Sequence, residues 1–161
     1  MSAEALLAPE AVHELVLERI LDAPRENVYR AWTEPELLKQ WFAPKPYTTP
    51  VAEIDVRPGG NSRIVMRGED GNEMEIPGVY LEVVPNEKIV ATDAYSSAWV
   101  PAAQPFMTMI LTFEDAGPGK TKYTARVRHW NAADKEKHEQ MGFYTGWGIC
   151  ADQLEDVAKS L

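Results

Sequence analysis

The sequence predicts an α+β fold, a curved antiparallel sheet closed by a long C-terminal helix, with two short helices after the first strand. Two observations carry that prediction. Apolar residues recur at helical spacing from Val28 to Trp41, alternate with a period near 2 after Pro50, and return to helical spacing in the segment that follows Asn131. The alternating segments are separated by turn chemistry at Pro58-Gly59-Gly60, Asp70-Gly71-Asn72, Pro85-Asn86 and Asp115 to Gly119, links short enough for an antiparallel meander. A closing helix that must cover such a sheet with one apolar stripe tends to leave a cavity beneath it.

Each element has a local reason. Residues 1–12, rich in Ala with Leu6 and Leu7, show no strand periodicity and are expected to form a flexible arm ahead of a single domain over 13–161. His13 to Leu21 is aliphatic enough for a first strand, and Asp22-Ala23-Pro24 ends it and opens a helix that buries Val28, Ala31 and Trp32. Thr33 with Glu36 has the spacing of a capping box for a second helix carrying Leu37, Leu38 and Trp41 inward. Prolines from Pro44 to Pro50 exclude a central strand there. Strands are expected over 50–57, 61–67, 74–84, 87–93, 106–114 and 121–129, with 95–105 a loop around Trp99.

Parity then sorts the side chains, because successive residues of a strand face opposite ways. Tyr123, Ala125, Val127 and His129 should face in, opposite Thr124, Arg126 and Arg128. Met107, Met109, Leu111 and Phe113 should face in as well, as should Val79, Leu81 and Val83. Ile110 and Val65 should face out. The closing helix is expected to start at Asn131, a good N-cap, and to bury Tyr144, Trp147, Cys150 or Ala151, Leu154, Val157 or Ala158, and Leu161. Gly142, Gly146 and Gly148 inside it each cost about 1 kcal/mol relative to Ala. A bend, a close approach or room for a ligand would account for them.

Composition excludes some functions. A net charge of −9 argues against nucleic acid, whose affinity comes largely from Lys and Arg. The single cysteine, Cys150, cannot form an internal disulfide and the N-terminus has no basic region before an apolar run, so a reducing cytoplasm is the expected address. No stretch reaches the roughly 18 consecutive apolar residues of a membrane span.

The run from Ala23 to Phe42 (APRENVYRAWTEPELLKQWF), then Asp55-Val56-Arg57-Pro58-Gly59-Gly60, Met66-Arg67-Gly68, Gly78 to Pro85 (GVYLEVVP) and Gly146-Trp147 resembles the bacterial single-domain branch of the Hsp90 ATPase activator homologues, within the START-like (SRPBCC, Bet v 1-like) superfamily. The resemblance extends from about residue 13 to 161 and rests on the ordered set. It implies a helix-grip fold enclosing a pocket for a hydrophobic ligand. The superfamily includes lipid carriers, hormone receptors and aromatic polyketide cyclases, so fold does not choose among them. Eukaryotic Hsp90 activators carry an additional N-terminal domain for which this chain has no room, so Hsp90 stimulation is not expected.

Trp41, Ile64, Met66, Met109, His129 and Trp147 are the expected cavity lining, aromatic and thioether side chains being suited to a flat or greasy ligand. His129, inward at a strand end, is either a hydrogen-bonding group or general base at the pocket, or a buried histidine satisfied by an ordinary partner. Asp93 is expected to be solvated where its strand ends. His13, His129 and His138 lack metal-ligand spacing, and His138-Glu139 is not followed by the second histidine of a zinc-protease helix. Cys150, on an apolar stripe without a histidine at helical spacing, reads as a small buried hydrophobe. No Gly-x-Ser-x-Gly elbow, phosphate loop or Cys-x-x-Cys occurs, so no cofactor is implied.

The expected activity is therefore binding of a small hydrophobic molecule. The alternatives are a cyclase or hydratase using two convergent polar groups, such as His129 with Asp93 or Tyr95, and a chaperone-related or self-associating interaction module. Outward Ile110 and Val65, with Leu6 and Leu7, would serve a homodimer.

Overall fold

A computed structural model describes residues 12–161. The arm expected over 1–12 therefore lies outside the described residues except for Val12. Seven strands form one antiparallel sheet in the order β1-β9-β8-β5-β4-β3-β2: β1 (His13–Leu21), β2 (Thr48–Ile54), β3 (Asn61–Arg67), β4 (Glu73–Val84), β5 (Lys88–Thr92), β8 (Met107–Asp115) and β9 (Thr121–His129). Helices α1 (Arg25–Thr33) and α2 (Pro35–Leu38) follow β1, and α3 (Ala132–Gln140) and α4 (Phe143–Lys159) close the chain. Every pairing within the sheet is antiparallel, and the fold is the curved sheet with long C-terminal helix of the helix-grip class.

Alternation built this sheet as the sequence indicates along β1, β8 and β9. Leu15, Leu17, Tyr123, Ala125, Val127, Leu111 and Phe113 are buried in one core with Phe143, Ala151, Leu154 and Ala158 of α4. On the opposite face, Glu14 accepts from Arg126 Nη1 at 2.7 Å and from Arg128 Nε at 3.1 Å, so the outward cations of β9 are paired across to β1. No helix among the described residues is long and apolar enough to cross a membrane.

Several expectations fail for local reasons. In β4, Val79 is fully buried, yet it is Tyr80 and not Leu81 that joins the core cluster, because a bulge between Tyr80 and Glu82 places one extra residue against β5. Tyr80 then stands opposite Ala91 and Val83 opposite Ile89, so two inward residues lie three apart and strict alternation back from Val83 misassigns those between. The Tyr95–Pro105 segment is not a plain loop: β6 (Tyr95–Ser97) and β7 (Val100–Pro101) form a small hairpin with Trp99 at its tip. Strand β2 includes Pro50, which is accommodated because β2 is the sheet edge and its register shifts between Thr48 and Val51. The capping box does not form; Thr33 Oγ1 donates to Tyr29 O at 2.8 Å, and Glu34 occupies the N-cap of α2. Val65, expected to face out, is buried, and Ile110 is half-buried.

The closing helix is two helices. Asn131 caps α3 as expected, its side chain accepting from Asp134 N at 2.8 Å. The chain then turns at Gly142, with φ +94°, a left-handed conformation that side-chain-bearing residues rarely adopt. The break lets α3 pack on β1 and β9 while α4 lies against β1 and α1. It also changes the buried face: Phe143 is fully buried, whereas Tyr144 and Leu161 are exposed.

Candidate functional site

Between the sheet and α4 lies a hollow in two lobes. The larger, about 270 Å³, is bounded by Trp41 and Phe42 after α2, by Met66, Ile76 and Tyr123 of the sheet, and by Phe143, Gly146, Trp147 and Cys150 of α4. The smaller, about 110 Å³, lies deeper in the sheet among Ser62, Ile64, Tyr80, Ala91, Asp93 and Met109. Trp32, Phe42, Ile76, Met107 and Trp147 belong to both walls. Together the lobes reach the lower end of the roughly 300–1,000 Å³ typical of small-molecule sites.

The walls are held by specific bonds. Trp32 and Trp41 meet edge to face with centroids 4.6 Å apart, and Trp41 Nε1 donates to Ala31 O at 2.9 Å. Gln153 Nε2 donates to the carbonyls of Trp41 and Ala43, both at 2.8 Å, and Cys150 Sγ donates to Phe42 O at 3.2 Å. Helix α4 therefore fastens the Trp41–Ala43 segment over the cavity. Burial pushes the Cys150 thiol up to about 12, so no thiolate forms at neutral pH.

The three glycines have three separate accounts. Gly142 makes the bend; a Cβ at Gly148 would stand 2.8 Å from Arg19 Nη2; a Cβ at Gly146 would meet nothing within 4 Å. Gly146 keeps space open at the larger lobe.

Of the residues expected from the sequence, Trp41, Met66 and Trp147 line the larger lobe, and Ile64, Met109 and Trp147 the smaller. His129 lines neither. It is buried behind the wall, where its Nδ1 lies 2.9 Å from Phe106 O and its Nε2 lies 3.0 Å from His138 Nδ1. The histidine that reaches the cavity is His138 of α3, set against the rings of Phe106, Phe143 and Trp147. Burial, and secondarily the neighbouring His129, lowers His138 to about 4. Asp93 follows the end of its strand as expected but is half-buried: it lines the smaller lobe, and its Oδ1 accepts from Phe106 N at 2.8 Å and Met107 N at 3.1 Å.

Two further polar groups border the larger lobe. The Trp32 indole N–H is buried without a hydrogen-bond partner. Burial raises the pKa of the Tyr123 phenol. Sequence reading passed over His138, Trp32 and Tyr123 as site residues because periodicity reports which face is buried and not which polar atom is left without a partner. Among the described residues, no group of three or more His, Cys, Asp and Glu is placed to hold a metal ion.

The family model described as Activator of Hsp90 ATPase homolog 1-like protein matches residues 22–159. A crystal structure of a protein from Nitrosomonas europaea is 38% identical, covering 91% of this chain and 94% of its own with a TM-score of 0.87. One from Chromobacterium violaceum is 26% identical, covering 92% and 97%, with a TM-score of 0.74. A solution structure from Staphylococcus epidermidis, 24% identical with coverage of 96% and 94% and a TM-score of 0.78, is similar in fold. No protein of curated description matches the chain.

Proposed function

Because this chain belongs to the family of Activator of Hsp90 ATPase homolog 1-like proteins, we propose that it binds a small hydrophobic molecule in the hollow between the sheet and α4. One observation carries the reading: two adjoining lobes, walled by aromatic and thioether side chains, are left unfilled by the protein's own residues at the place where the final helix crosses the sheet. Interiors pack closely, so retained empty space next to a helix glycine is the exception in need of a use. The bound molecule is largely apolar, since Trp32, Trp41, Phe42 and Trp147 dominate the walls, and few polar atoms face it.

A cyclase or hydratase acting through His129 and Asp93 has less support. His129 lines neither lobe, and one Asp93 oxygen is already occupied by two backbone donors.

The test is a thermal-shift screen of small aromatic and aliphatic compounds, with hits verified by native mass spectrometry. A ligand at about 100 times its dissociation constant adds about 2.7 kcal/mol of stability. The expected result is a shift for wild type that Gly146→Leu, which fills the larger lobe, abolishes. Shifts of equal size in both proteins place binding elsewhere and refute the reading, as does the failure of every compound to bind wild type.

A further inference from the structure

The two histidines form a relay with a definite direction. Phe106 O can only accept, so the proton of His129 is on Nδ1, which donates across 2.9 Å. In neutral imidazole the other nitrogen then accepts, so His129 Nε2 takes its hydrogen bond from His138 Nδ1–H across 3.0 Å. This assignment follows from the hydrogen-bond network. It leaves His138 with its proton committed inward and Nε2 as a bare lone pair, without a partner among the described residues.

That lone pair belongs to a side chain of the larger lobe's wall. His138 lines the cavity beside Met141 and Gly142, with Phe106 and Phe143 at centroid distances of 5.2 Å from its ring. The lowered pKa of His138 fits the same picture, since a neutral ring keeps the lone pair available. Lys137 Nζ lies 6.0 Å from the Phe106 ring centroid, and His129 faces His138 from β9.

From this geometry we infer that the cavity takes a planar, mostly apolar molecule bearing a hydroxyl, a phenol or an enol, whose O–H donates to His138 Nε2. A neutral imidazole acceptor at the edge of an aromatic hollow rewards a donor there and gives nothing to a hydrocarbon of the same shape. The inference rests on the cavity being a binding site and adds which chemistry the site selects.

The experiment compares 2-naphthol with naphthalene in the full-length protein, wild type and His138→Phe, by titration calorimetry or tryptophan quenching. One neutral hydrogen bond corresponds to a three- to tenfold preference. The expected result is that the ratio of naphthol to naphthalene affinity falls three- to tenfold in His138→Phe, whatever happens to naphthalene alone. An unchanged ratio with both probes bound overturns hydroxyl recognition and leaves the cavity reading standing; failure of both probes to bind wild type overturns the two together. Imidazole nitrogen NMR of the unliganded wild type gives a readout independent of the variant. His138 Nε2 should be of the unprotonated, pyridine type and Nδ1 protonated, and the reverse refutes the relay.

Discussion

Gln153 Nε2 donates to the carbonyl of Trp41 at 2.8 Å, and through the same amide to Ala43, while its Oε1 accepts from Lys45 N at 3.1 Å. One side chain of the last helix thus holds a segment that carries three cavity residues, Trp41, Phe42 and Pro44, although 112 positions separate it from Trp41. The Trp41–Lys45 stretch forms no strand; Trp41 N and Phe42 N donate back to Leu38 O and Cys150 Sγ donates to Phe42 O, while Gln153 takes the carbonyls of Trp41 and Ala43.

Gln153→Ala should therefore cost about 1–3 kcal/mol, the penalty for leaving buried or half-buried carbonyls unpaired. Urea denaturation measures the loss. Hydrogen exchange should accelerate at residues 41–45 before it does in the sheet, since the bonds removed anchor that segment. A variant within 0.5 kcal/mol of wild type would mean that water replaces the amide without penalty.

Two glycine substitutions should part sharply. Gly146→Ala places a methyl group in open space and removes the helix cost of glycine, so stability should rise by about 1 kcal/mol while the larger lobe shrinks. At Gly60 a Cβ would stand 1.9 Å from Asp55 O, in a loop tied to β4 by Gly59 N to Tyr80 O at 2.8 Å. Gly60→Ala must move backbone and should lower the melting temperature by many degrees. Equal melting temperatures for the two variants would contradict the packing at both sites.

Stability should also depend on His138 in a defined pH window. Its folded value is lowered to about 4 from an ordinary 6.5, so on acidification the unfolded chain takes up the proton first. The stability linked to this group is complete above pH 6.5 and is lost between 6.5 and 4. Carboxylates titrate in the lower part of the same range, so the comparison is with His138→Phe: between pH 7.5 and 5.5 the wild type should lose more of its urea midpoint than the variant. A parallel decline in both proteins would mean that His138 titrates alike folded and unfolded.

Much of the fold was legible because alternation and turn chemistry act locally. Glu14, Arg126 and Arg128 alternate against Leu15, Ala125 and Val127, and a two-residue period needs no tertiary information to be read. The bulge at Tyr80 was not legible, since one residue too many in β4 is a fact about its pairing with β5. Nor was the break at Gly142: three glycines close together announced some departure from a uniform helix, yet only backbone geometry shows which one bends. For the site, aromatic and methionine side chains indicated the lining in kind. The assignment of the polar role to His129 followed correct inward parity but missed His138, nine residues on in a helix with no buried residue, because that contact forms only when α3 folds back on the sheet edge.

Trp147 stands in the wall common to both lobes. Trp32, Phe42, Ile76 and Met107 share that place, so the seam between the lobes of about 270 Å³ and about 110 Å³ is built by five side chains from α1, the segment after α2, β4, β8 and α4. Parts of the chain far apart in sequence thus set its width jointly, and trimming any one of the five should enlarge the space where the lobes meet.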